Sequence, residues 1–266
     1  MKSHTPATLY GPVRSWRFGR SLGLDPICHG SVCSFNCIYC QLGAIQETTC
    51  ERREFIPTQW VADELKNVDP GALDVVTISG SGEPTLAANL GEMVAAIRRA
   101  LTTRVVVLTN ASLLHRKDVR RDLRDVDEVD GKLDAPNEAL WRRINRPAEG
   151  VAWPQIVEGL AALRDERPDQ RLTLQIMLMP MNVDALAEWP PLIRHIRPDR
   201  VFLNAPRRPY PDRWRLTSRG RHNAVAGREG YRALRTLTPG QMAEAQAFLQ
   251  RETDCEVTSR PQQETL

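Results

Sequence analysis

Three cysteines, Cys33, Cys37 and Cys40, crowd into the stretch SVCSFNCIYCQLG (31–43) of a chain that has six. Thiolates this close suit a soft metal centre better than disulfides. A structural zinc ion is closed by four ligands, usually as two separated pairs. Here the three form one compact group and the next cysteine, Cys50, stands ten residues on. Cys28 or His29 would have to complete a zinc site. A cubane iron–sulfur cluster held at three corners leaves its fourth iron open to a substrate or cofactor, and the trio favours that chemistry. Tyr39 directly precedes the last cysteine and, read by itself, is a plain core aromatic.

A loop of this kind needs a scaffold, and the rest of the chain reads as one. The segments LDVVTIS (73–79), RVVVLT (104–109), LTLQIMLM (172–179) and DRVFLN (199–204) are short apolar runs without alternation, as in strands buried on both faces. DVDEVDGKLDA (125–135) is a polar further strand and LGLDPI (22–27) a first one. Helical patterns lie between them at 57–68, 88–101, 153–165 and 182–196, the last interrupted by Pro190 and Pro191, and a final helix is expected at 238–252. Six strand–helix units in succession predict an α/β fold, a partial (β/α)6 TIM-like barrel of parallel strands. At 266 residues the chain fits a single domain, its core at about 20–205 and a basic loop with a C-terminal helix at about 206–266. No apolar run reaches the roughly 18 residues of a membrane span, and the first residues lack the apolar core of a secretory signal. The expectation is a cytoplasmic protein without membrane attachment.

In such folds chemistry gathers at the C-terminal ends of the strands. The cysteine loop follows the first strand, GSGEPTL (80–86) the second and NASLL (110–114) the third. DAP (134–136) and NAPRRP (204–209) end later strands. Lys132 and Asp134 are two apart and would share a strand face as catalytic candidates or as an ordinary ion pair. Arg143, Asn145 and Arg146 in RRINRP offer a phosphate or carboxylate site, or a solvated helix end.

The combination of Cys-x3-Cys-x2-Cys with YGPVRSWRFGRSLGLD, SGSGEPTL, KLDAPNEALWRRINRP, IMLMPMNVD and PDRVFLNAPRRP resembles the radical S-adenosylmethionine superfamily. Within it, the chain looks like the iron–sulfur oxidoreductases related to the tRNA wyosine-base synthases. The resemblance implies a 4Fe–4S cluster on Cys33, Cys37 and Cys40, with S-adenosylmethionine chelating the open iron. Reductive cleavage would give a 5′-deoxyadenosyl radical that takes hydrogen from a substrate. Family members usually carry Gly-Gly-Glu after the second strand; the matching run here is Ser81-Gly82-Glu83. The resemblance implies that these residues, Tyr39 and Asn110 contact the cofactor, Glu83 through its ammonium group; Asn110 is equally a helix N-cap. It also implies a one-electron reductant such as flavodoxin or ferredoxin. A wyosine synthase proper carries further cysteines upstream of the trio, where this chain has only Cys28; Cys28, Cys50 and Cys255 would have to meet in space to bind a second cluster.

Between Arg207 and Arg235 nine arginines face two acidic residues, in a chain whose net charge is +3, with Tyr210, Trp214 and Tyr231 among them. This composition suits a nucleic acid or a phosphorylated small molecule, or is simply a solvated loop. Arg208, Arg213 and Arg215 are the substrate-binding candidates, with Arg219 and Arg221 as further phosphate contacts. The leading expectation is a radical enzyme on an unidentified substrate, a tRNA base being one form. An activase placing a glycyl radical on a partner protein, and a non-catalytic iron–sulfur or zinc module binding nucleic acid, are the alternatives.

Overall fold

The computed structural model describes residues 7–216, 219 and 230–260. Eight strands form one sheet in the order of the chain: β1 (Leu9–Ser15), β2 (Gly19–Leu24), β3 (Val75–Ile78), β4 (Arg104–Thr109), β5 (Glu128–Lys132), β6 (Arg171–Met177), β7 (Arg200–Asn204) and β8 (Glu256–Ser259). The hairpin β1–β2 is antiparallel and every later pairing is parallel. Among the described residues β1 and β8 do not pair, so the sheet is open, as in a partial barrel. Strands β3 and β4 are Val- and Ile-rich and buried almost throughout, which parallel strands covered on both faces require.

The crossovers are helical. Helices α1 (Thr58–Leu65), α2 (Leu90–Ala100), α3 (Lys117–Asp122), α4 (Glu138–Asn145), α5 (Trp153–Glu166), α6 (Trp189–Ile196) and α7 (Pro239–Glu252) carry the chain from strand to strand. Pro190 and Pro191 occupy the first turn of α6, where a missing N–H costs nothing, and so start this helix rather than interrupt one. A 3₁₀ segment, Val183–Glu188, leads into it. Helix α7 is closed by a capping box between Thr238 and Gln241 and delivers β8 beside β7, so the sheet continues past residue 206.

The turn of the β1–β2 hairpin lies under the sheet at the N-terminal ends of the strands. There Phe18 packs with Val75 and Val106 in a small separate cluster. Above this plug the inner face is polar: Glu128, Asp130, Thr173 and Gln175 are buried on β5 and β6. Arg104 and Arg200 converge on Glu128. Polar groups at this depth need partners or a ligand, and the cavity above them is where the cysteine loop hangs. Among the described residues no helix is long and apolar enough to cross a membrane.

Candidate functional site

The cysteine loop leaves β2 and is clamped from both sides. Val32 runs parallel to Gly82, its N–H donating to the Ser81 carbonyl at 3.1 Å and its carbonyl accepting from Glu83 N–H at 3.1 Å. A Cβ on Gly82 would lie 1.7 Å from the Val32 carbonyl oxygen, so glycine is required for the loop to dock here. On the other side, Asn36 N–H donates to the Asn145 carbonyl at 3.0 Å and Ile38 N–H to the Ile144 carbonyl at 2.9 Å. Phe35 meets Trp141 of α4 edge-on at 5.7 Å. The basic segment closes over the loop's end, where Ala44 bridges Arg213.

Cys33, Cys37 and Cys40 are unpaired and line one wall of a cavity of about 1010 Å³. Their sulfurs meet N–H donors: Cys33 Sγ accepts from Phe35 N–H at 3.4 Å and Asn110 Nδ2 at 3.5 Å, and Cys37 Sγ accepts from Asn145 Nδ2 at 3.3 Å. Burial raises all three thiols, Cys37 to about 12 and Cys33 well above its usual range. Only a strongly bound cation would make them thiolates here, with release of their protons. Among the described residues no three Cys, His, Asp or Glu side chains converge as ligands of a single ion. Three unpaired thiols lining one cavity, two of them receiving side-chain amide donors, fit the thiolate ligands of a polynuclear cluster. The remaining cysteines are scattered. Cys28 is buried against the Asp25 carbonyl, Cys50 lies near the Glu149 carbonyl and Cys255 beside Thr253.

Glu83 is buried at the cavity edge and caps a 3₁₀ turn. Its Oε1 accepts from Thr85 N–H at 3.0 Å and from the hydroxyls of Thr85 and Thr109, each at 2.6 Å. Among the described residues Oε2 accepts only Asn110 N–H, at 2.7 Å, and so keeps acceptor capacity. Burial raises its pKa although each of these hydrogen bonds lowers it. Asn110 also lines the cavity; its Oδ1 accepts Ser112 N–H at 3.0 Å in a local cap and its Nδ2 binds Ser34 Oγ at 2.8 Å. Ser81 turns away, its hydroxyl donating to Asp25 Oδ2 at 2.6 Å.

Strand β5 ends at Lys132, so Asp134 lies beyond the pleat and the two are not an ion pair. Lys132 Nζ sits 4.8 Å from the Tyr39 ring centroid, over its face, and lines the cavity. Asp134 is buried and accepts Met177 N–H and Asn145 Nδ2, both at 2.8 Å, together with the Tyr39 hydroxyl. Burial, then the neighbouring Asp134 charge, holds the Tyr39 phenol well above its usual range. Asn145 therefore joins α4 to Cys37 and Asp134 and holds no external anion. Arg143 and Arg146 are exposed and do not line the cavity.

Of the basic segment, Arg208 lines the cavity and donates to Gln41 Oε1 at 3.1 Å, next to the cysteines. Burial, then repulsion from Arg260 and Arg17, lowers it to about 10. Arg213 and Arg215 are exposed, and Arg215 lies over the Tyr231 ring at 5.2 Å. Arg219 is instead nearly buried, its Nη1 donating to Asp25 Oδ2 at 2.8 Å, so it holds the fold rather than a phosphate. Arg221 lies outside the described residues. Sequence reasoning missed Arg17 and Asp130, which line the cavity floor. Arg17 Nη1 lies 3.5 Å from Asp130 Oδ2, and burial pushes Asp130 up to about 7. A signal existed for Asp130, which shares a strand face with Lys132; Arg17 had none beyond its place in SWRFGRS.

Comparison with known proteins accords with this geometry. Residues 27–189 match the Radical SAM superfamily. A UPF0026 protein of Synechocystis, slr1464, is 43% identical over 229 residues, spanning 85% of this chain and 84% of that protein. Among solved structures, TYW1 with a lysine-pyruvate adduct bound has a TM-score of 0.59 at 17% identity, covering 88% of this chain and 74% of that one. Streptococcus suis SuiB bound to S-adenosylmethionine has a TM-score of 0.60 at 14% identity, covering 87% and 49%. At such identities these two structures show likeness of fold alone. The chain belongs to the radical SAM superfamily of enzymes and shares the UPF0026 family with its cyanobacterial relative.

Proposed function

We propose that Cys33, Cys37 and Cys40 hold a 4Fe–4S cluster by three corners and that the adjoining cavity takes S-adenosylmethionine at the open iron. One observation carries this reading: three unpaired thiols share a wall of a cavity of about 1010 Å³ that Glu83 and Asn110 also line. When bound and reduced, such a cluster supplies the electron that cleaves S-adenosylmethionine to methionine and a 5′-deoxyadenosyl radical, which takes hydrogen from a substrate. Asn110 and Asn145 direct N–H groups at Cys33 and Cys37 and so stabilise negative charge on those sulfurs. Glu83 Oε2, with its spare acceptor site, suits the ammonium of the cofactor. Lys132, stacked on Tyr39, adds positive charge beside the cysteines. The protein's part is to bind, orient and keep water from the reacting atoms. Radical SAM enzymes need a one-electron donor, and flavodoxin or ferredoxin is the class proposed.

The arginines of the cavity and its rim favour an anionic substrate. A tRNA base, approached across exposed Arg213 and Arg215, is its macromolecular form; a phosphorylated small molecule would engage the inner arginines instead. The test is incubation of the reduced protein and cofactor with fractionated cell extract grown on deuterated medium. Deuterium entering 5′-deoxyadenosine from one fraction identifies the substrate. No transfer from any fraction, together with no cleavage, refutes the reading.

A further inference from the structure

We infer that Arg17, Arg208 and Arg260 form a subsite for an oxyanion group of the substrate, a phosphate or a carboxylate, beside the last strands of the sheet. The inference rests on the reading that this cavity is where the substrate meets the cofactor. All three side chains line it. They arrive from distant parts of the chain: Arg17 from the hairpin turn beneath the sheet, Arg208 from the loop after β7, and Arg260 just after β8. Burial first, then the positive charges of Arg260 and Arg17, lower the pKa of Arg208, so both lie within reach of its guanidinium.

Their charges are poorly matched by the protein itself. Arg17 Nε and Nη1 and Arg260 Nε are shielded from solvent and meet no acceptor among the described residues. Among the described residues Asp130 is the carboxylate paired with Arg17, at 3.5 Å and without hydrogen-bonding geometry, while Glu128 below it is engaged by Arg104 and Arg200. Among the described residues Arg208 and Arg260 have no carboxylate partner, and Arg208 reaches only the neutral Gln41. Guanidinium N–H groups shielded from water without an acceptor are costly, and an incoming oxyanion with several acceptor lone pairs would offset that cost. Arg17 is also held in place by aromatic packing. Arg17 lies on the faces of Phe18 at 5.1 Å and Phe202 at 6.0 Å, and Trp16 packs edge-on against Phe202 at 5.2 Å. Fixed donors lose little entropy when a ligand binds. An RNA backbone would be met by exposed side chains such as Arg213. The Arg17 side chain is only 17% exposed, so the group that reaches it belongs to a small molecule.

The experiment titrates the cluster-reconstituted protein with inorganic phosphate in one arm and malonate in another, by calorimetry, so that the arms separate the two oxyanions. One saturable site is expected for at least one of them. Arg17→Gln, Arg208→Gln and Arg260→Gln should each weaken it by about tenfold or more, as loss of a charge-assisted donor implies. Arg121→Gln, on the outer surface, should bind as the wild type does. Iron content and unfolding temperature check the fold of each variant. Should Arg17→Gln not fold, Arg17→Lys keeps the charge without the planar fork and should still weaken binding. Absence of saturable binding in both arms, or wild-type affinity in the Arg17 and Arg208 variants, overturns the subsite. So does binding of tRNA with neither small anion. Cofactor cleavage by the wild-type protein is read separately: its failure with anion binding intact refutes the radical reading and leaves the subsite standing.

Discussion

Replacing Gly82 by alanine tests whether the cysteine loop is held in place by the strand end beside it. The added Cβ would lie 1.7 Å from the Val32 carbonyl oxygen and 2.6 Å from its carbon, both backbone atoms that cannot rotate aside. Either the loop or the 80–83 segment must shift. The shift breaks the two backbone hydrogen bonds between Val32 and the Ser81 and Glu83 peptides, worth about 1 kcal/mol each. It also loosens the packing of Val32, bringing the total cost to roughly 3 kcal/mol. With an unfolding entropy near 2.1 cal/mol/K per residue, that lowers the melting temperature by about 5 °C for a chain of 266 residues. Because Cys33 adjoins Val32, iron uptake should fall as well. Gly150→Ala is the comparison: its φ of +85° is strained for alanine, but no atom lies within 4 Å of the new Cβ. Its cost should be about 1 kcal/mol, with iron content unchanged. Thermal unfolding and iron analysis of both variants decide the matter. Gly82→Ala melting within about 1 °C of the wild type, with full iron, would refute the clamp.

Three further outcomes follow from the site. Alanine at Cys33, Cys37 or Cys40 should abolish the cluster, whereas alanine at Cys50 or Cys255 should leave it intact; anaerobic reconstitution and iron–sulfide analysis distinguish them. Glu83→Gln should weaken S-adenosylmethionine binding by about tenfold, the loss of a charged partner, at unchanged iron content, measured by equilibrium dialysis. Unaltered affinity would remove Glu83 from the cofactor site. Asp130 is raised from 3.8 to about 7 by burial, so the folded protein holds its proton more tightly than the unfolded chain does. Its share of stability is therefore full below pH 3.8 and is lost as pH rises towards 7. Asp130→Asn should flatten the decline in unfolding free energy across that window, read by denaturant titration at several pH values.

Much of the scaffold was legible because parallel strands buried on both faces must be branched and apolar: 104–109 was read to the residue. The elements that escaped are short or polar. Helix α3 is KDVRRD, β8 is EVTS, and β1 contains Gly11 and Pro12 amid exposed positions. In the site, spacing alone exposed the cysteine trio. The role of Gly82 was only half visible: a glycine was expected to admit a ligand, but the backbone it admits is that of Val32. Lys132 and Asp134 share a face only if the strand continues to Asp134, and the end of β5 at Lys132 separates them. Asn145 was grouped with arginines, yet its amide points inward to Cys37. Arg17 was out of reach, since only tertiary placement of the hairpin turn beneath the sheet brings it to Asp130.

The central claim, that three cysteines and this cavity make a radical S-adenosylmethionine centre, is tested most directly in one tube. Anaerobically reconstituted protein is reduced with dithionite and incubated with S-adenosylmethionine, and products and iron are quantified together. The account predicts about four irons per chain, one cubane cluster, with slow formation of 5′-deoxyadenosine and methionine even without substrate. A colourless protein holding one tightly bound zinc, or a full cluster that leaves S-adenosylmethionine uncleaved, would contradict it.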